Sequence, residues 1–247
     1  MKHILIISSY APSLINFRLP LIKELLSRGN KVSIAAPKLK FTDSLQKQLT
    51  NLNVDINIFS LSRSGLNFFQ DYRSFKEIRI IIENCNPNIV IAYTAKPVIY
   101  TGIILKNFSK IAYYPLITGL GYAFTSDNTF KRKFLKNLMI KLYKGGLKSA
   151  AKVIFQNKDD QNLFNNFKII KKNTATSIVN GSGVDLNMYP FSDLPSKPIF
   201  LMISRLLVDK GVREYVKAAQ IVRSHFPNAI FQLAGYLDEN PSGITLD

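Results

Sequence analysis

The sequence predicts an α/β protein made of two Rossmann-like units, the second represented only by its opening elements. Three observations carry this. Short apolar runs alternate with longer helical patterns through most of the 247 residues, the rhythm of βαβ units in a parallel sheet covered on both faces. A turn-rich passage, Asn180-Gly181-Ser182-Gly183-Val184-Asp185 with Pro190, Pro195 and Pro198 after it, interrupts that rhythm. A fresh strand–helix–strand series then begins, and a Rossmann unit of roughly 100 to 150 residues is not completed by Asp247. The predicted organisation is a domain over residues 1–185, a linker over 186–197 and the truncated start of a second domain over 198–247.

In chain order, strands are expected over His3–Ser8, Lys31–Ala36, Val54–Phe59, Asn88–Ala92, Ile111–Leu116, Lys152–Gln156 and Thr176–Val179. Helices are expected over Phe17–Ser27, Asp43–Thr50, Phe69–Glu83, Val98–Lys106, Phe130–Ala150 and Lys158–Phe167. The second series reads as a strand over Ile199–Ile203, a helix over Val212–Ser224 and a strand over Ala229–Ala234. The apolar run after Lys2 is too short for a signal peptide, and Ile111–Ser126 is broken by Pro115, Gly119 and Gly121 before reaching the ~20 residues a spanning helix needs.

Composition narrows the partners. With 47% hydrophobic and 20% charged residues the chain is globular, and 33 Lys and Arg against 16 Asp and Glu give a net charge of +17. Such an excess fits an anionic partner: nucleic acid, phospholipid or a phosphorylated small molecule. Nucleic acid is set aside, because no RNP-like strand, zinc-finger spacing or helix-turn-helix is present. The single cysteine, Cys85, precludes an internal disulfide and points to a cytosolic chain. His3 and His225 are too far apart to read as a metal pair, so no metal or cofactor is expected.

The helix over Phe130–Ala150 carries apolar residues Phe134, Leu135, Leu138, Met139, Leu142 and Tyr143 at helical spacing. Its charges are all positive, and no acidic residue lies between Asp127 and Asp159. The apolar stripe fits the core of its own domain, and the Lys131–Lys148 face fits an anionic bilayer surface, where each basic group contributes on the order of 1 kcal/mol. The two readings are compatible.

Candidate site residues cluster where strands end. Ser204-Arg205-Leu206-Leu207-Val208-Asp209-Lys210-Gly211 links a strand to a helix, and an Arg, a Lys and a helix N-terminus opened by Gly suit a diphosphate. Taken alone, the pattern also fits a solvated loop. No dinucleotide fingerprint follows the first strand, which argues against an NAD-dependent oxidoreductase. Asn16, Thr94, Lys96, Thr118, Asn157, Asn180 and Ser182 follow strand carboxyl ends, the side on which open α/β sheets bind ligands, as does Gly119-Leu120-Gly121. Polar loops are common, so each residue singly also fits a solvated turn. Asp159 and Asp160 suit the first turn of a helix better than acid–base catalysis.

Read together, these stretches resemble the retaining glycosyltransferases of family 4, closest to bacterial members that extend polyprenyl-diphosphate-linked oligosaccharides. The matching segments are Leu61–Asn67, Tyr93–Pro97, Ile117–Phe124, Phe155–Asp160, Asn180–Asp185 and Arg205–Gly211, in family order over nearly the whole chain. The resemblance implies a GT-B fold and transfer, with retention at the anomeric carbon, of a hexose or N-acetylhexosamine from a UDP-sugar to a polyprenyl-diphosphate-linked saccharide in surface polysaccharide synthesis, lipopolysaccharide and O-antigen among them. It implies Arg205 and Lys210 as catalytic residues on the donor diphosphate, with Gly119, Gly121, Asn180, Ser182 and Gly211 toward the donor. Asn16, Arg18 and Lys96 fall toward the acceptor. No metal is obligatory in the family. The implied location is cytoplasmic, peripheral on the inner face of the membrane. The family's Glu-x7-Glu motif would fall beyond Asp247, so the alternative is a truncated, inactive module that binds lipid or nucleotide sugar.

Overall fold

The computed structural model describes all residues except 39–41, 63–66, 120–123, 125–129, 188, 237–242 and 245–247. The chain divides into two compact units, Met1–Met188 and Tyr189–Asp247. In the first, a seven-stranded sheet has the order β3-β2-β1-β4-β5-β6-β7, with every pairing parallel. Its strands are β1 His3–Ile7, β2 Lys31–Pro37, β3 Asp55–Phe59, β4 Ile89–Tyr93, β5 Ala112–Ile117, β6 Val153–Phe155 and β7 Thr176–Ile178. The helices are α1 Pro12–Ser27, α2 Asp43–Thr50, α3 Phe68–Cys85, α4 Ala95–Ile104, α5 Phe130–Gly146 and α6 Lys158–Asn166.

Strand alternation divides the core between two faces. Leu5 and Ile7 of β1 join Val90 and Ala92 of β4 beneath Ile78 and Ile82 of α3, Val98 and Ile99 of α4, Tyr143 of α5 and Phe164 of α6. Ile4 and Ile6 point the other way, joining Val32 and Ile34 beneath Leu14 and Ile22 of α1 and Leu45 and Leu49 of α2. Each buried apolar side chain contributes about 1.5–3 kcal/mol relative to exposure, so a strand apolar on both faces is held from both sides.

Two helices begin earlier than the sequence suggests. Helix α1 starts at Pro12 rather than Phe17, because a proline at the first helical position lacks only an N–H that would have no partner there. Helix α4 starts at Ala95 rather than Val98, with Pro97 accommodated in its first turn. Asn16 and Lys96 therefore lie on helices, not in loops as expected, while Arg18 lies on the helix where the sequence puts it. The aspartates of α6 behave as read: Asn157 caps the helix through the Asp160 N–H at 2.7 Å, and Asp160 accepts from Asn157 Nδ2 at 3.0 Å. His3 is structural, with Nε2 2.7 Å from Ser33 Oγ. Burial, with Lys31 nearby, pushes its pKa down.

Helices α4 and α5 meet through glycine. A Cβ on Gly102 would sit 1.6 Å from the Gly146 carbonyl oxygen, and one on Gly146 would lie 2.8 Å from Ile99 Cα. Ser149 Oγ donates to the Gly102 carbonyl at 2.7 Å, and Tyr113 donates from β5 to the Val98 carbonyl at 2.6 Å.

The second unit is a βαβ element. Strands β8 Ile199–Ile203 and β9 Ile230–Ala234 pair in parallel, joined through α7 Val212–His225. The Tyr215 hydroxyl lies 2.8 Å from the carbonyls of both Phe200 and Gln232, tying α7 to the two strands. Phe200 stacks on Phe231 with ring centroids 4.8 Å apart.

The glycine contact gives a sharp expectation. Gly102→Ala must drive backbone from backbone and destabilises the protein by about 3 kcal/mol or more in urea unfolding. Gly145→Ala, one residue from the contact and with open space around its Cβ, stabilises by about 0.4–1 kcal/mol by restricting the unfolded chain. Equal effects at the two positions would contradict the packing described.

Candidate functional site

The sheet order places a topological switch between β1 and β4, since β1 pairs with β2 on one side and β4 on the other. In such sheets the loops leaving adjacent strand ends diverge and open a crevice. Arg18, from the second turn of α1, is only 6% exposed and its guanidinium carbon lies 4.7 Å from the centroid of the Tyr93 ring, at the end of β4. Its Nη1 donates to Ser182 Oγ at 2.7 Å and to the Phe17 carbonyl at 3.0 Å. Ser182 also accepts from Gln156 Nε2 at 3.4 Å, so residues after β1, β6 and β7 converge on one group.

Hydroxyls buttress it. Tyr93 Oη is 2.9 Å from Ser13 Oγ, which is 3.0 Å from Ser8 Oγ. Burial pushes the Tyr93 phenol above its ordinary pKa, against its hydrogen bonds with the Ser13 and Ser8 hydroxyls and the nearby Arg18 charge. Desolvation likewise lowers the Arg18 pKa, with Tyr93 opposing. Thr94, the next residue, has φ of 69°, a left-handed backbone unusual for a β-branched side chain and a form of strain that concentrates at binding sites.

The other predicted residues are distributed as follows. Asn16 is exposed on α1, two residues from Arg18, and Asn180 is exposed beyond β7. Gly119 follows β5 with φ of 132°, a conformation that favours glycine, whereas Gly121 lies outside the described residues. Lys96 is engaged elsewhere: its Nζ is 2.7 Å from Asp71 Oδ1 of α3 and 2.8 Å from the Ser62 carbonyl, and no hydrogen bond ties it to the Arg18 group among the described residues. Burial, and then the Asp71 carboxylate, push the Tyr100 phenol well above its usual range.

In the second unit Arg205 and Lys210 are exposed beyond the carboxyl end of β8. A 3-10 turn over Val208–Lys210 leads into Gly211, whose φ of 76° reverses the chain into α7. No side chain caps the first turn of α7 among the described residues, which leaves its N–H groups without a side-chain partner, and Glu214 lies in that turn. This local geometry suits an anion, as the sequence pattern suggests.

Comparison with known proteins agrees with this architecture. Residues 4–157 match the glycosyl transferase 4-like family, well over half of the chain. The chain belongs to the glycosyl transferase 4-like family. A Campylobacter jejuni relative, N,N'-diacetylbacillosaminyl-diphospho-undecaprenol alpha-1,3-N-acetylgalactosaminyltransferase, is 28% identical over 98% of this chain and 65% of its own length. The chain thus spans just under two thirds of that relative's length. Two solved structures share the fold. Sucrose-phosphate synthase of Thermosynechococcus elongatus aligns with a TM-score of 0.72 at 15% identity, over 98% of this chain and 65% of its own. A glycosyltransferase from Rickettsia africae aligns at 0.61 and 17% identity, over 97% and 62%. At such identities the likeness speaks to the α/β, GT-B type fold of this glycosyl transferase 4-like chain alone.

Sequence reading missed Tyr93, which the sheet order brings to Arg18, Ser13, which lies on α1 itself and bonds to Tyr93, and Gln156, which bonds to Ser182. It also missed Asp71, whose signal is its place in the first turn of α3. With side chains only 16% and 17% exposed, the Lys96–Asp71 pair is buried enough that losing one partner leaves an uncompensated charge. Asp71→Asn and Lys96→Met each destabilise by about 3 kcal/mol, and the double variant by clearly less than the sum, as read from a double-mutant cycle in urea.

Proposed function

We propose that the protein is a glycosyltransferase that moves a sugar from a UDP-sugar to a polyprenyl-diphosphate-linked saccharide, with retention at the anomeric carbon. The observation that carries this reading is the family match over residues 4–157, together with a relative whose own acceptor, by name, is a diphospho-undecaprenol-linked sugar. A structural neighbour of the same fold is described as a complex with UDP, in keeping with a nucleotide-diphosphate donor.

In this reading Arg205, Lys210 and the α7 N-terminus hold the donor diphosphate. As the anomeric C–O bond breaks, the bonding electrons leave with UDP, and the two cations with the open N–H groups offset the charge that develops there. The acceptor hydroxyl oxygen forms the new bond and releases its proton. The family resemblance also assigns Gly119, Gly121, Asn180, Ser182 and Gly211 to the donor. Asn16, Arg18 and Lys96 belong to the acceptor side of the first unit.

The reading includes a peripheral position on the cytoplasmic face of the membrane, in surface-polysaccharide synthesis. No helix among the described residues is long and apolar enough to cross a membrane. Helix α5 offers another means of contact: Phe130 and Phe134 are exposed beside Lys133, and Lys141 is exposed on the following turns.

The test is transfer of radiolabelled sugar from a panel of UDP-sugars to polyprenyl-diphosphate-linked saccharides. Arg205→Ala and Lys210→Ala each lower kcat by roughly 100-fold to 1,000-fold, the size of losing one transition-state charge contact. Absence of transfer across the panel would overturn the assignment. Co-sedimentation with anionic vesicles checks the membrane reading. Lys133→Glu with Lys141→Glu weakens binding by on the order of 1 kcal/mol or more per residue, and vesicles of neutral lipid bind weakly with or without the change.

A further inference from the structure

Beside the switch point between β1 and β4 lies a cation with no acidic partner among the described residues. Arg18 is buried, both acceptors of its Nη1 are neutral, and its Nε is sealed from solvent without a hydrogen-bond partner. No ion pair reaches it among the described residues, where the five observed pairs all involve other residues. A buried charge without a counter-charge opposes folding, and an apolar side chain of the same length would fill the space without that penalty. The Tyr93 ring offsets only part of it through the cation–π contact.

The surroundings are arranged to hold that cation rather than to neutralise it. Tyr93 is fixed by Ser13 and Ser13 by Ser8, so the ring is anchored under the guanidinium. Ser182, partly exposed beyond β7, accepts from it, and Thr94, the residue after Tyr93, keeps a strained backbone. A planar, permanently charged fork among neutral hydroxyls at a switch-point crevice matches a phosphate-class anion.

We infer that Arg18, seated on Tyr93 and bracketed by Ser182, is the charge of an oxyanion site in the first unit that takes a diphosphate group of the transfer substrates. The inference rests on the glycosyltransferase reading for the source of the diphosphate, but the site itself does not depend on turnover. Two substrates could supply the group, the lipid-linked acceptor and the nucleotide donor, and the assay separates them.

The experiment titrates the 247-residue chain with inorganic pyrophosphate in phosphate-free chloride buffer, by calorimetry and by thermal melting. Pyrophosphate raises the wild-type Tm, as a ligand bound only by the folded state must. Arg18→Met loses roughly tenfold or more in pyrophosphate affinity, yet without the anion it melts at or above the wild-type temperature, because an uncompensated charge has been removed. Arg18→Lys keeps a charge without the fork and gives an intermediate response. Tyr93→Phe retains Arg18 but frees the ring from Ser13, and it weakens binding less than Arg18→Met. In transfer assays Arg18→Lys raises KM more than it lowers kcat. A rise confined to the acceptor places the acceptor's diphosphate on Arg18, and one confined to the UDP-sugar places the donor's there.

A wild-type chain that ignores pyrophosphate overturns the inference. So does an Arg18→Met protein that binds it unchanged and melts lower, the mark of a purely structural arginine. Active enzyme with both KM values unchanged in Arg18→Lys overturns the site and leaves the glycosyltransferase reading intact. Failure of transfer alongside Arg18-dependent pyrophosphate binding does the reverse.

Discussion

The geometry of the first unit depends on one constraint: β1 pairs in parallel with strands on both sides, β2 and β4, that the chain reaches in opposite directions. Parallel neighbours need a crossover, and helices must cover both faces of the sheet because neither face can remain apolar and wet. Helices α1 and α2 take one face, and α3 to α6 the other. The loops after β1 and β4 therefore leave in opposite directions, and the gap between them is a product of connectivity rather than of any local sequence. Arg18 and Tyr93 each lie beside that gap, and Ser182 reaches it from beyond β7.

Much of the framework was legible along the chain. Strand positions follow from apolar runs of a few residues, and the helix α5 from its 3.6-residue stripe. The differences were at helix starts, where Pro12 and Pro97 precede the expected starts yet are accommodated in first turns. The Arg205–Gly211 segment was legible because its chemistry is local: strand end, 3-10 turn, left-handed glycine and helix start are consecutive. The Arg18 group was only half legible. Arg18 and Ser182 are 164 positions apart, and nothing in the sequence says that β4 lies beside β1 or that Tyr93 ends under a guanidinium. Lys96 illustrates the converse, since a lysine after a strand looks available for a ligand until α3 brings Asp71 to it.

Two kinds of positive charge thus coexist in a chain of net charge +17. Exposed lysines on α5 are solvated, and they act over a distance set by ionic strength. Arg18 is desolvated, so its interactions are strong and nearly independent of salt. The first kind raises the local concentration of anionic surfaces or substrates, whereas the second discriminates among groups that reach it. Composition alone reports their sum and conceals the difference.

The contact between Gly102 and Gly146 divides α5 into ends with different histories open to them. At Gly146 the helix has no room for a side chain, and Tyr143 beside it is buried. At Phe130 and Phe134 the helix is largely unpacked. Substitutions at the anchored end are filtered by folding, while those at the far end are filtered only by what that surface meets. A lineage could therefore exchange the residues of the unpacked end, retuning its surface for a different environment, while the anchor roughly three to four turns away remained unchanged.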